Sequence, residues 1–163
     1  MPLEDLMVAI QSTPIGTMIR ENLFLFPMIE CVHVLALTFV VGTIALVDLR
    51  LLGVSARNHS ITALSTEILP FTWTAFVLAA ITGGLLFVSN AVKYYPNVAF
   101  RIKLIFLVCA ALNMLIFHFI TYKSVKAWDV DTPTPTAAKV AGALSLTFWA
   151  LVIVFGRRIG FTL

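Results

Sequence analysis

Three side chains that can bind a metal or carry a proton lie close together in the first apolar stretch of the chain. They are Glu30, Cys31 and His33, and the residues around them are almost all hydrophobic. Ionisable groups are costly in hydrocarbon, so their presence there indicates a functional site. His33 could ligate haem iron, ligate another metal, or hydrogen-bond to Glu30 or to a backbone carbonyl. The sequence leaves these three roles open.

Two alternative sites use the same stretch of chain. Met28, Cys31 and His33 offer the soft sulfur and imidazole ligands that suit Cu(I), which makes copper the alternative cofactor. Glu30 and Lys103 fall at the same end of their apolar segments, so we expect them to form an intramembrane ion pair. A set made of Glu30, His33 and Lys103 could transport copper or protons.

Further polar residues extend this pattern along the first and third apolar segments. Asp48 follows Glu30 by 18 residues, which is about five helical turns, so the two side chains are predicted to share a helix face. Asp48 and Arg50 are predicted to anchor the far end of the first helix, by pairing with each other or with Lys123. In the third segment, Asn113 lies beside a looser polar face.

His118, on that third face, is the second candidate haem ligand. His33 lies towards the N-terminal side of its segment, and His118 lies towards the opposite side. At 1.5 Å per residue, their depths in the membrane differ by roughly 10–15 Å, which is too much for two ligands of one iron. A haem on His33 would therefore need another ligand, an open position or a neighbouring subunit, and we expect a homo-oligomer.

Four long apolar segments must position these residues. Hydrophobic residues make up 60% of the 163-residue chain and charged residues only 12%, against about 25% charged in soluble domains. The segments span residues 23–47, 68–89, 104–122 and 140–156, each about long enough to cross a ~30 Å hydrocarbon core. The fold class is therefore predicted to be all-α, a four-helix antiparallel bundle that forms a single transmembrane domain over residues 1–163.

Residues 3–11 precede the bundle and show apolar side chains at helical spacing. They predict a short amphipathic helix lying in the membrane interface. The net charge of +3 comes from scattered basic residues, so nucleic acid is not an expected partner, whereas membrane lipid is. No hydrolase or phosphate-loop motif occurs, so an electron-transfer or transport protein is more consistent with the sequence than a hydrolytic enzyme.

The chain resembles a family of uncharacterised bacterial four-span membrane proteins. The similar positions are residues 29–36, Gly42 and residues 47–53, with Thr82-Gly83 and residues 100–104 further along. That family is distantly similar to CopD-type copper-resistance membrane proteins and to small b-type cytochromes. The resemblance implies the bacterial inner membrane, with haem b or copper as cofactor.

These observations lead to one principal hypothesis and two alternatives. The principal hypothesis is an inner-membrane protein that binds haem b through His33 and exchanges electrons with a redox partner protein or a quinone. The first alternative is copper or proton transport through Glu30, His33 and Lys103. The second is a structural or accessory membrane subunit whose polar groups only specify packing.

Overall fold

The computed structural model describes residues 3–55, 59–130 and 133–162, and it confirms the all-α prediction. Within these ranges there are α-helices and no strands. They are α1 (Leu3–Gln11), α2 (Pro14–Glu21), α3 (Leu25–Leu51), α4 (Ile61–Ser89), α5 (Ala91–Tyr94), α6 (Val98–Ile116) and α7 (Thr136–Thr162). Helix α6 continues as a π-helical turn, Phe117–Thr121, and a 3₁₀ segment, Tyr122–Ala127.

Four of these helical stretches are long and apolar enough to cross a membrane, as predicted. They are α3, α4, α6 with its extension to Ala127, and α7. Each is longer than the apolar segment that predicted it, because the helices continue into flanking polar sequence. Helix α3 has 27 residues, about 40 Å at 1.5 Å per residue, so its ends project beyond a ~30 Å hydrocarbon core. We call the end of the bundle where α3 begins side A and the opposite end side B.

The residues before α3 form two short helices at side A. Helix α1 matches the predicted helix over residues 3–11. The Thr13 hydroxyl accepts a hydrogen bond from the backbone N–H of Gly16, and Pro14 occupies the first helical position of α2. Arg20 then donates to the Ser89 carbonyl, which attaches α2 to the end of α4.

Local sequence also explains where the spans begin. Pro27 lies in the first turn of α3, where its missing N–H costs nothing, so the span begins near Pro27 and is not kinked by it. Ser60 and Asn97 cap α4 and α6, their side-chain oxygens accepting from backbone N–H groups three residues on. Helices α4 and α6 therefore begin at polar residues that a hydropathy profile does not detect.

The bundle has a core at three levels. Helix α3 packs mainly against α4 and α7, and α6 packs mainly against α7. Near side A, Phe87 of α4 stacks on Phe100 of α6 with 5.5 Å between ring centroids. The three clusters of buried residues are Tyr94, Ala99 and Ile159 near side A; Val40, Ala110, Trp149 and Val152 in the middle; and Leu51, Ile61, Val125, Trp128 and Ala138 near side B.

Candidate functional site

The candidate site is centred on His33, whose ring packs against α4. Its Nδ1 lies 2.9 Å from the carbonyl oxygen of Ala79 and 3.1 Å from the hydroxyl oxygen of Thr82. A carbonyl can only accept, so Nδ1 carries the proton and donates to Ala79. The Thr82 hydroxyl donates its own proton back to the Leu78 carbonyl at 2.7 Å. In the neutral ring, these partners therefore select the tautomer in which Nδ1 carries the proton and Nε2 keeps its lone pair.

Gly83 makes room for this ring. A Cβ atom on Gly83 would lie 2.9 Å from His33 Cε1 and 3.4 Å from Nδ1, closer than carbon atoms normally approach. Gly84, the next residue, has nothing within 4 Å of the equivalent position. The close approach of α3 to α4 at His33 therefore depends on Gly83 and not on its neighbour.

Lys103 is the second polar side chain of the site. It is half-buried on α6, and its Cδ, Cε and Nζ atoms all lie 3.7 Å from the position that a Cβ of Gly156 would take on α7. Its charge is close enough to act electrostatically on the His33 ring. His33 follows Leu25 by eight residues and Lys103 follows Val98 by five, so the two lie roughly 12 Å and 8 Å along helices that both start at side A.

His118 lies far from this site. It follows Val98 by 20 residues, about 30 Å along the helix, so it lies near side B. The side chain is exposed, and its ring stacks on Tyr122 at 5.2 Å between centroids. The structure therefore agrees with the argument from depth that one iron cannot take both His33 and His118 of the same chain.

The predicted ion pair between Glu30 and Lys103 is wrong. In the described part of the chain, the ion pair within 4.0 Å is Arg20 with Glu21, at side A. Glu30 is exposed, and its charge acts on Tyr94 of α5. A transport set made of Glu30, His33 and Lys103 is therefore not assembled.

The predicted copper ligands do not converge either. Met28 is 62% exposed and Cys31 is also exposed, whereas His33 is turned towards α4. Within the described ranges, no group of three or more histidine, cysteine, aspartate or glutamate side chains could hold a metal ion. A metal bound at His33 would therefore need sulfur ligands other than Met28 and Cys31.

Asp48 and Arg50 are both buried, but they do not pair with each other as predicted. Asp48 faces α7, where its backbone oxygen lies 3.1 Å from the position that a Cβ of Gly142 would take, and its Oδ2 atom has no partner among the described residues. Arg50 donates to the backbone carbonyls of His59 at 2.9 Å and Asp129 at 3.0 Å. Arg50 therefore links the chain segments that connect the helices at side B, whereas Asp48 contacts α7.

Asn113 connects two spans. Its amide donates to the backbone carbonyl of Ala141 on α7 at 2.9 Å. Polar side chains that bond across helices in this way stabilise bundles in membranes. Asn113 is therefore a packing residue and not part of the His33 site.

Two parts of the site could not be predicted from the sequence. The Ala79 carbonyl, which holds the His33 ring, carries no side-chain signal that could have identified it. Gly156, which accommodates Lys103, is one of eight glycines, and only its contact with a lysine distinguishes it. The role of Gly83 follows from the position of the His33 ring, which the sequence alone does not give.

Comparisons of this chain with protein-family models, with curated proteins and with solved structures find no match. The resemblance to the CopD-type and cytochrome families stays a prediction. What the fold defines is a multi-pass helical membrane protein with an anchored histidine inside its bundle. The function has to be argued from that histidine and its surroundings.

Proposed function

We propose that this chain is a protein of the bacterial inner membrane that binds haem b at His33 and takes part in electron transfer. The observation that carries the proposal is the hydrogen bond from His33 Nδ1 to the Ala79 carbonyl. Histidines that ligate metals usually donate their other ring N–H to a carbonyl or carboxylate, which fixes the tautomer and orients the ring. His33 has that arrangement, with Nε2 left as the ligating atom.

The donor set fits haem better than a copper centre. One imidazole suffices as a protein ligand to haem iron, whereas Cu(I) would need the sulfur atoms that the structure leaves exposed. When bound, haem supplies a centre that gains and loses one electron. The chain itself would orient the ligating nitrogen through Ala79 and Thr82 and exclude water with the apolar residues of the bundle.

The same geometry supports two subsidiary proposals. Since His118 is at the other end of the bundle, a second protein ligand to the haem, if there is one, would come from a second copy of the chain. A homo-oligomer is the arrangement that provides such a ligand. Electrons would be exchanged with a quinone or with a redox partner protein at the membrane surface.

The test is an absorption spectrum of the purified protein together with one variant that can retain the hydrogen bond to Ala79 but has no Nε2. In His33→Asn, the amide nitrogen can replace Nδ1 and keep the bond to Ala79, while the Nε2 ligand is lost. We expect the native protein to show a Soret band that sharpens and shifts on reduction, and His33→Asn to lose it without losing thermal stability. His59→Asn and His118→Asn are the matched controls, and both should keep the band.

Two results would overturn the proposal. One is a native protein that shows no Soret band when expressed with ample haem and reconstituted with haem in detergent. The other is a His33→Asn variant that binds as much haem as the native protein. A loss of the band in His118→Asn instead would move the ligand to side B.

A further inference from the structure

The ammonium group of Lys103 has no counter-charge in the described part of the chain. Its Nζ is in no ion pair and no hydrogen bond there, and the side chain lies across Gly156 in the side-A half of the bundle. A charged group inside a membrane protein is normally paired, because an unpaired charge in a low-dielectric surrounding is costly. The position of Lys103 therefore requires an explanation.

The carboxylates within the described ranges do not provide one. Glu30 is the acidic residue of α3 at side A, and it is exposed and beyond ion-pair distance. Asp48 lies near side B, where it faces Ser145. Helices α6 and α7 contain no acidic residue at all, so neither helix in contact with Lys103 offers a partner.

We infer that Lys103 binds the carboxylate of an amphipathic acid that enters the bundle from the membrane at side A. The ligand would have an apolar body, because Lys103 lies against Gly156 of α7 and the cluster at this end of the bundle, with Phe100 and Phe155 packed on it, is mostly apolar. Its acid group would pair with Nζ in a charge-assisted hydrogen bond. Two sources carry this chemistry, a propionate of haem and the head group of a fatty acid.

The first source connects the inference to the proposed function. His33 and Lys103 lie in the same half of the bundle and are within electrostatic range of each other. A haem ligated through His33 Nε2 could then be held at a second point by its propionate. If the ligand is haem, the inference rests on the proposed haem binding at His33. If the ligand is a fatty acid, it does not.

The experiment compares acids with their esters in the native protein and in Lys103→Met. Binding of haem, haem dimethyl ester, a pyrene-labelled fatty acid and its methyl ester would be measured by titration in lipid nanodiscs. We expect Lys103→Met to weaken binding of the acid that is the ligand by roughly 10- to 100-fold, the range for one charge-assisted hydrogen bond. The corresponding ester should bind equally well to both proteins.

Two further variants and one measurement complete the design. Lys103→Arg keeps the charge and should retain most of the preference for the acid. Lys93→Met removes an exposed lysine at the same side and should change nothing. Without ligand, Lys103→Met should be at least as stable to heat as the native protein, because an unpaired charge has been removed, whereas loss of a structural lysine would lower its melting temperature.

The outcomes separate this inference from the proposed function. If Lys103→Met weakens the binding of haem but not the binding of haem dimethyl ester, both the inference and the proposed function are supported. Lys103-dependent binding of the fatty acid without any haem binding supports the inference and overturns the haem proposal. Haem binding that is equal for acid and ester and unchanged in Lys103→Met, with no fatty-acid effect, overturns the inference and leaves the haem proposal intact.

Discussion

Adding one methyl group at Gly83 should dislodge the His33 ring, and the same change at Gly84 should not. The new Cβ would lie 2.9 Å from His33 Cε1, whereas carbon atoms in contact are ordinarily about 3.5–4.0 Å apart. The ring must therefore retreat by about 0.6 Å or more, or α3 and α4 must separate by as much. Either movement stretches the 2.9 Å hydrogen bond from Nδ1 to the Ala79 carbonyl.

The magnitude follows from two opposing effects of Gly83→Ala. Replacing glycine by alanine inside a helix stabilises it by roughly 1 kcal/mol in soluble proteins. Losing a buried side-chain hydrogen bond costs about 1–3 kcal/mol. Gly84→Ala has the first effect without the second, since its Cβ position is open. Subtracting the two variants removes the helix-propensity effect, so Gly83→Ala should be less stable than Gly84→Ala by about 1–3 kcal/mol.

The assay is reversible unfolding in mixed micelles for both variants and the native protein, with haem content measured on the same samples. Gly83→Ala should also lose haem, because a displaced ring no longer presents Nε2 as the native protein does. Equal stabilities and equal haem contents for Gly83→Ala and Gly84→Ala would refute the reasoning. They would mean that the close contact at Gly83 does not position His33.

Two other predictions concern the bundle and side A. Asn113→Leu should lower the free energy of unfolding by about 0.5–1.5 kcal/mol, because the hydrogen bond to the Ala141 carbonyl is lost. The control is Thr147→Val, which loses a hydrogen bond only within its own exposed helix turn. Its free energy of unfolding should be nearly that of the native protein. Burial and the negative charge of Glu30 raise the pKa of Tyr94 above its ordinary value of 10.0, since both disfavour the phenolate. Ultraviolet titration should show this tyrosine ionising late, and Glu30→Gln should lower its pKa; an unchanged titration would refute the electrostatic contact.

The four spans could be predicted because their apolar length admits few other structures in a membrane. The first residues of α4 and α6 could not be predicted, because the caps at Ser60 and Asn97 lie in polar sequence outside the apolar runs. Helix α4 therefore begins at Ile61, whereas the apolar run began at residue 68. Polar residues continue a helix once it is capped, and hydropathy does not record that.

The candidate site was predicted in part. That His33 lies inside the bundle followed from its place in an apolar run. The predicted pairing of Glu30 with Lys103 is wrong. Helical periodicity shows which residues share a face, but it does not show which neighbouring helix covers that face at each level. Asp48 shares the predicted face of Glu30, yet α7 packs against Asp48, whereas Glu30 is exposed.

His33 and Asp48, two polar side chains of α3, meet their neighbours on other helices at different stages of synthesis. The partner of His33 is on α4, the next span to leave the ribosome, 46 residues later. Asp48 lies against Gly142 of α7, 94 residues further on. A nascent chain with only its first two spans inserted could therefore already hold the histidine ring in place. Asp48 of that nascent chain would still face lipid or the insertion machinery. The partly synthesised protein would therefore have His33 in its final contact, whereas Asp48 would reach its contact only when the fourth span is inserted.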